Sequence, residues 1–284
     1  MSSIAIEPSL GPKRVIFFMW LQGIGSAPPV VRACYESWVR QNPDWKVVLL
    51  TASNIADYVA LPNWSSKLSH AQMSDLVRLK LMDVHGGVWA DATTFCNWPL
   101  RDWIPEVSAG GFFAFAWPAR GYLLSSWFLV AEPGNALIHR ARRMLEDYWQ
   151  AAGLESPGIL RDIAGKVALR VLGRTPRMTT WWLSAFMRDR LRLYPYFAIH
   201  YSFAKAVMVD SQARRSWQSM TKVSADGPHQ LQTYGLLKVA DRGMLLEIGD
   251  PTTPMYKLTW KVSDGSAEPD SVLSLLISDP AARS

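Results

Sequence analysis

Three charged residues set around a double glycine are the part of this sequence best equipped for chemistry. Asp75 and Arg78 stand in Ser74-Asp75-Leu76-Val77-Arg78, and Asp91 closes Gly86-Gly87-Val88-Trp89-Ala90-Asp91, followed by Ala92 and Thr93. On a helix, residues three apart project from the same side. A carboxylate able to hold hydroxyl groups and a guanidinium able to grip an anion through directional hydrogen bonds would then face one space. Taken alone, the same pair also describes a surface ion pair of little energetic weight. Gly86 and Gly87 supply one residue for a left-handed helix end and one for close approach of backbone or ligand. Asp91 follows an apolar run, where an acid suits a divalent cation or ribose hydroxyls; the plainer reading is an Asp that caps or turns the chain.

The elements that must position these residues follow from hydrophobic periodicity. Residues 14–20 are a near-continuous apolar run too short for a stable helix, hence a strand buried on both faces. Ser26 is an N-cap candidate with Pro28 in the first turn, and Val31, Cys34, Tyr35 and Trp38 share one helical face that ends at Asn42-Pro43. Residues 45–50 repeat the buried-strand pattern, and Ser53 is a cap candidate for a short helix over residues 54–59. Ser69 and Gln72 have capping-box spacing and start a helix to about His85, with Met73, Val77, Leu81 and Val84 as its buried stripe and Gly86 as its end.

Residues 88–90 form a third strand, which places Asp91 at its C-terminal end, the edge where open α/β sheets bind ligands. Residues 112–117 and 127–130 read as strands and 136–150 as a helix. Beyond them, 196–217 reads as helical, 244–248 and 257–262 as late strands, and the tail after Ser263 as loose. The alternation of strands and helices is an α/β pattern.

Composition narrows the function classes. The chain has 284 residues, of which 49% are hydrophobic and 19% charged, with 14 Trp and 11 Met, a composition opposed to disorder. No run approaches the roughly 20 apolar residues of a membrane span; residues 110–134 are interrupted by Arg120 and Glu132 and read as two buried strands. The N-terminus lacks an apolar signal core before Lys13 and Arg14, which makes the cytoplasm, including the inner face of the membrane, the expected location. Cys34 and Cys96 are too few and too distant for a disulfide framework or a metal-type pair and read as buried thiols.

The formal charge is +6, and residues 161–192 carry eight basic residues against Asp162 and Asp189, an excess equal to that of the whole chain. With Trp181, Trp182, Phe186 and Met187 among its arginines, this segment suits either a solvated helical face or peripheral contact with an anionic membrane. Nucleic acid ranks last as a partner, because no nucleic-acid-binding motif accompanies the charge. Of the five histidines, His139 and His200 lie on helical stretches, where packing or a local hydrogen bond suffices, and His229 follows Gly227-Pro228 in an expected loop.

The combination of S-D-x-x-R, a short helix and G-G-x-W-x-D-A-T resembles the capsular-polysaccharide-synthesis glycosyltransferases, relatives of the sugar transferases that carry a DxD motif. Matching pieces recur at Glu36-Ser37-Trp38, Asn42-Pro43-Asp44, Trp127-Phe128-Leu129, Glu132-Pro133-Gly134-Asn135, Tyr196-Phe197 with His200-Tyr201, Pro228-His229, and Lys257-Leu258-Thr259-Trp260. The resemblance implies a type A glycosyltransferase fold, a Rossmann-like nucleotide-binding sheet flanked by helices, here with a helical, basic C-terminal elaboration. It implies a nucleotide-sugar donor, most readily a UDP-sugar, a glycan or lipid-linked acceptor, and retention of configuration.

Under that resemblance Asp91, Asp75 and Arg78 are the catalytic set. The donor site comprises Trp20, Gln22, Asp75, Arg78, Gly86, Gly87, Asp91, Ala92 and Thr93. Asp91 is the first DxD carboxylate, beside the ribose and a Mn or Mg ion; Asp75 takes sugar hydroxyls, Arg78 the diphosphate or sugar, and Trp20 and Gln22 lie near the nucleotide. Two departures stand out. Thr93 replaces the second Asp, which removes the stronger metal ligand, and Tyr256 stands where the family has His before Lys-Leu-Thr, which leaves His229 as the substitute to test.

The expected organisation is a nucleotide-sugar-binding α/β core over 1–150, a mainly helical basic elaboration over 151–220 facing acceptor or membrane, a segment closing the active site over 221–263, and a loose tail over 264–284. The competing reading is a degenerate transferase that binds a nucleotide or glycan without turnover.

Overall fold

A strand whose neighbours on both sides run parallel to it lies at the centre of the fold. The computed structural model describes residues 13–152, 165, 168–262 and 267–278. Strand β1 (Val15–Met19) pairs in parallel with β2 (Lys46–Leu50) on one side and β3 (Gly87–Ala90) on the other. Beyond β3 the direction reverses: β6 (Phe128–Ala131) is antiparallel to β3, and the two-residue β5 (Phe112–Phe113) is antiparallel to β6. The order β2-β1-β3-β6-β5 is that of a mixed, Rossmann-like sheet. A separate ribbon pairs β4 (Thr94–Cys96) with β7 (Met255–Lys257).

Helix α1 (Pro29–Gln41) begins after Pro28, and no side chain caps it. The expected cap, Ser26, instead turns its hydroxyl back to the carbonyls of Gln22 and Gly23 inside a 3-10 turn, because the chain is extended at Ala27 and Pro28 before the helix starts. Asn42 ends the helix as expected. Ser53 likewise caps nothing; the Asn54 side chain organises the short 3-10 turn Ile55–Asp57 by accepting from the Thr51 N–H.

Helix α2 (His70–Val84) opens with the capping box read from the sequence: Gln72 N–H donates to Ser69 Oγ, and Ser69 N–H donates to the Gln72 side chain. Its buried face is wider than the expected stripe. Val77 and Leu81 are buried as expected, but so are Leu76, Leu79, Met82 and even Arg78, while Val84 is 62% exposed. The cause is tertiary, since α2 packs on one side against β3 and β6 and on another against α3 (Ala136–Ala151). Between α2 and α3 an ionic ladder links Lys80 to Glu146, Glu146 to Arg142, and Arg142 to Asp83, with His139 also on Asp83.

After α3, the expected long helical stretch is two helices, α4 (Ala198–Val209) and α5 (Ser211–Ser219), broken at Asp210, whose carboxylate caps α5 through the N–H groups of Gln212 and Ala213. Helix α6 (Asp226–Tyr234) follows, then α7 (Arg242–Gly249), where a strand was expected over 244–248. Asp241 decides that outcome by accepting from Met244 N–H as an N-cap, since a short apolar run fits either a strand or a helix. The late strand occupies Met255–Lys257 rather than 257–262, and α8 (Val272–Ile277) closes the described chain.

The expected strand over 112–117 is regular only at Phe112–Phe113; Ala116 leaves that ladder for isolated bridges to Leu124 and Ser224, and Trp117 then turns into the left-handed region at φ 53°. Arg161, Asp162 and Lys166 of the basic segment lie outside the described residues. Among the described ones, residues 168–172 are helical and are followed by separate short turns (Pro176–Thr179, Thr180–Leu183 and a π-type turn over Phe186–Arg190) that bury Trp182, Leu183 and Met187 and expose Trp181, Phe186 and Leu191, so these residues do not share one amphipathic helix. Among the described residues, one hydrophobic core runs from Ile16 to Leu276, and no helix is long and apolar enough to cross a membrane.

Candidate functional site

The carboxyl ends of the two parallel strands β1 and β3 open onto a cavity of about 890 Å³. Trp20 and Gln22 come from the turn after β1, Asp75 and Arg78 from α2, and Asp91, Ala92 and Thr93 from the end of β3. Ser126 and Trp127 precede β6 on the same edge, because that strand runs the other way. Four segments distant in the sequence thus converge on one edge of the sheet.

Arg78 is the hub of this edge. Its Nη1 donates to Ser126 O at 2.6 Å and lies 3.2 Å from both Ser126 Oγ and Asp91 Oδ1; its Nη2 meets Ser74 Oγ at 3.0 Å and Asp75 Oδ1 at 3.3 Å; its Nε points to Ser74 O at 3.3 Å. The guanidinium also lies over the Trp89 ring, 5.1 Å from its centroid. With its side chain only 7% exposed, Arg78 has its donors committed to protein groups, so it fixes the two carboxylates rather than offering a free fork to a diphosphate.

Asp91 is held from both sides. Oδ1 accepts from Trp89 Nε1 at 2.9 Å besides Arg78, and Oδ2 accepts from Lys257 Nζ at 3.2 Å. Burial pushes its carboxyl up, but Arg78, Lys257 and the hydrogen bonds from Trp89 and Lys257 outweigh that and hold it below the usual carboxylate range. Asp75 goes the other way: burial raises it to about 7, with Arg78 opposing and Asp91 adding to the rise. Two carboxylates on one guanidinium therefore have opposite proton affinities, one ionised and one poised near neutrality.

Lys257 was legible in the sequence only as part of Lys-Leu-Thr-Trp, and it is the site residue that only the tertiary structure reveals. Thr94 pairs with Lys257 across β4–β7, and Leu258 N–H donates to Thr93 O at 2.7 Å, so the ribbon sets Nζ against Asp91 and, at 2.6 Å, against Thr93 Oγ1. The ribbon is in turn pinned by α1. Trp38 Nε1 donates to Thr94 O, Cys96 N–H to Ser37 Oγ, and Leu100 N–H to Asn42 Oδ1. This is the physical work of the Glu36-Ser37-Trp38 and Asn42-Pro43 pieces, which lie outside the cavity.

Tyr256 points away from the cavity. Side chains alternate along β7, and Tyr256 is buried with its hydroxyl donating to Glu247. His229 lies on α6 rather than in a loop, with Nδ1 at 2.8 Å from Ala225 O and its ring edge-on to Trp127, and it does not line the cavity. Gly86 and Gly87 are at the opposite end of β3 from Asp91. Their positive φ angles, 64° and 90°, and the 2.6–2.7 Å that a Cβ would leave to Pro133 and Ala131 O, or to Val15, show glycine required by the protein's own packing rather than by a ligand.

His200 does line the cavity, stacked on Tyr122 at 4.6 Å. The Leu124 carbonyl 3.0 Å from Nδ1 can only accept, so Nδ1 carries the proton and Nε2 faces Ser126 Oγ at 3.4 Å. Burial pushes this imidazole down to about 4, and it is neutral at pH 7. The expectation of a local hydrogen bond for His200 holds, and its place in the wall adds to it. Cys34 and Cys96 are buried free thiols, Cys96 pushed up to about 12 by burial.

Residues 4–154, more than half of the chain, match the family described as capsular polysaccharide synthesis protein. The chain belongs to that family. The family match covers the sheet edge that carries Asp75, Arg78 and Asp91 but ends before Lys257. A curated relative, O-glycosyltransferase braB of Annulohypoxylon truncatum, is 29% identical over an alignment 169 residues long that covers 51% of this chain and 40% of that relative. The chain thus matches less than half of that relative's length. The solved PaToxG glycosyltransferase is a distant likeness at 11% identity and a TM-score of 0.35, covering 74% of this chain and 86% of that one.

The divalent cation implied by the family resemblance does not fit the donors as they are arranged. Asp91 Oδ2 and Thr93 Oγ1 both accept from Lys257 Nζ, Asp91 Oδ1 is taken by Trp89 and Arg78, and neither His229 nor Tyr256 reaches the cavity. Among the described residues no group of three or more His, Cys, Asp or Glu comes together at metal-binding distance.

Proposed function

We propose that the chain is a glycosyltransferase that moves a sugar from a nucleoside-diphosphate donor to a hydroxyl acceptor in the synthesis of capsular or other surface glycan. The observation that carries this reading is the pairing of Asp91 with Asp75 through Arg78 at the carboxyl edge of the sheet, in a cavity also lined by the cations Lys257 and Lys261 and the rings of Trp20 and Trp260. Family membership and the O-glycosyltransferase name of the braB relative support it.

Each group has a chemical task in that reading. Ionised Asp91, at the end of β3, has one acceptor position left on Oδ2 beside Lys257, and it accepts there from a hydroxyl of the donor's ribose. Asp75, poised between its acid and its base, can either donate to or accept from sugar hydroxyls. Arg78 holds both carboxyls in register. Trp20 and Trp260, edge to face at 6.3 Å, provide aromatic surface beside Gln22 for the nucleobase.

In the transfer the bond between the anomeric carbon and the β-phosphate oxygen breaks, and its electron pair leaves on the diphosphate. An acceptor hydroxyl oxygen bonds to the anomeric carbon from the same face, and its proton passes to the departing phosphate oxygen. Retention of configuration follows from that geometry, and the anomeric coupling in the NMR spectrum of the product reads it directly.

The acceptor side is the wall built by Tyr196, Phe197 and His200. The exposed Trp181, Phe186 and Leu191, among Arg177, Arg188 and Arg190, extend the same chain segment with the composition of a peripheral contact to anionic lipid. The test of the main reading is hydrolysis or transfer across a panel of UDP- and GDP-sugars by the wild-type chain and by Asp91→Asn. Loss of turnover in the variant with an unchanged circular dichroism spectrum is expected. Equal turnover in both rejects the site.

A further inference from the structure

We infer that the ammonium of Lys257 occupies the place a divalent cation holds in a DxD transferase, so that this chain binds its nucleoside diphosphate without a metal. The inference rests on the reading of the cavity as a donor site and adds the identity of the cation that meets the diphosphate.

Two oxygens that the Asp91-Ala92-Thr93 spacing could offer to a metal, Asp91 Oδ2 and Thr93 Oγ1, converge on one atom, Lys257 Nζ, at 3.2 and 2.6 Å. An ammonium has three N–H donors. Two are used on Asp91 and Thr93, which leaves the third for the cavity that Lys257 lines. A phosphate oxygen placed there would be bound by a fixed, singly charged donor instead of by a coordinated ion.

Lys257 does not reach the site by chance of a long side chain. Its backbone is locked by pairing with Thr94 and by the neighbouring Leu258–Thr93 hydrogen bond, and its side chain is only 16% exposed. Replacement of the second DxD carboxylate by Thr93 has a physical reason in this arrangement. Two carboxylates would suit a dication, whereas one carboxylate and one hydroxyl match a single ammonium in charge and in hydrogen-bond count. A dication entering the same position would meet Lys257 and Arg78 at close range, and their like charge opposes it.

The test uses the purified full chain, its Lys257→Met and Lys257→Arg variants, and two probes. In the first arm, the free Mn(II) signal in electron paramagnetic resonance is titrated with nucleotide-free protein. Wild type is expected to leave the signal unquenched; a stoichiometric site that Asp91→Asn removes would overturn the inference. In the second arm, calorimetry measures UDP and GDP binding in EDTA and in MnCl2. The better nucleotide is expected to bind wild type equally, within about twofold, in both buffers, and to lose at least about tenfold in Lys257→Met in EDTA.

Lys257→Arg, which keeps a cation on the ribbon, is expected to retain most of that affinity without metal, and this separates the charge from a folding defect. A wild-type affinity that rises tenfold or more with Mn(II) overturns the inference. If neither nucleotide binds in either buffer, the donor-site reading fails, and the Mn(II) titration of the free chain still decides whether Lys257 fills the cation position.

Discussion

Lys257 and Asp91, 166 residues apart in the chain, form an ion pair at 3.2 Å that joins the last strand of the described fold to the end of β3. Removing either charge leaves the other desolvated, a situation that costs roughly 3–5 kcal/mol where burial is complete and less at a partly exposed pair. Asp91→Asn is therefore expected to lower turnover at least about 100-fold. Its urea midpoint should also fall, because Arg78 and Lys257 both lose their counter-charge. Steady-state assay and urea denaturation of the same preparation check both outcomes.

Asp75 gives the site a pH signature. Its carboxyl is raised in the folded chain to about 7, above the unfolded value near 4, so between those pH values the folded state binds a proton that the unfolded state has released. Its contribution to stability is present below about pH 4 and is lost as pH rises through 7. Asp91, held low, works in the opposite sense and stabilises above the unfolded carboxylate range. Asp75→Asn is expected to flatten the stability profile between pH 5 and 8 and to stabilise the fold at pH 8 by about 1–3 kcal/mol, while donor turnover falls. Urea unfolding at the two pH values is the measurement.

Arg78→Lys tests the hub. A lysine has three donors on a point charge and cannot span Ser74, Asp75, Asp91 and Ser126 together. Destabilisation of about 2–4 kcal/mol is expected from the unmatched buried acceptors, together with loss of turnover. Stability within about 0.5 kcal/mol of wild type would show that the cluster does not depend on the planar fork.

Gly86→Ala and Gly87→Ala separate packing from ligand contact. Each adds a Cβ at a positive φ and within 2.7 Å of protein backbone. Both are expected to lower the free energy of unfolding by more than about 2 kcal/mol, with nucleotide affinity of the folded fraction unchanged. Calorimetric titration below the transition temperature measures that affinity, and a selective loss of binding would return these glycines to the donor site.

Tyr256→His asks whether the late histidine implied by the family resemblance would supply a metal ligand at this position. Since position 256 faces Glu247 and not the cavity, the variant is expected to lose about 1 kcal/mol or more by giving up the Tyr256–Glu247 hydrogen bond and to gain no Mn(II) affinity. Thermal melts and the Mn(II) titration read the two effects.

The degree to which the site was legible in the sequence differs by residue, and the difference is physical. The Ser69–Gln72 capping box, the three-residue spacing of Asp75 and Arg78, and the fall of Asp91 at a strand end are local properties of a few consecutive residues, and all three are as read. Ser26 and Ser53 failed as caps because each has a competing partner or conformation nearby, which residue type alone does not rank. Residues 244–248 turned out helical because the cap at Asp241 decides a run whose hydrophobicity fits either form. The buried face of α2 takes in Leu76, Leu79 and Met82 beyond the expected stripe because a second surface of the helix is covered by α3, an element more than fifty residues later.

The sequence by itself determined the α/β alternation, the helix that carries Asp75 and Arg78 and the strand that delivers Asp91, since these follow from hydrophobic period and capping chemistry within one element. Only the tertiary structure decided that Arg78 is spent on the protein, that Gly86 and Gly87 serve Pro133 and Val15, and that His200 joins the wall. It alone brought Lys257 to Asp91 and Thr93, because that contact is created by the pairing of β4 with β7, and no local rule fixes the partner of a strand so distant in the chain.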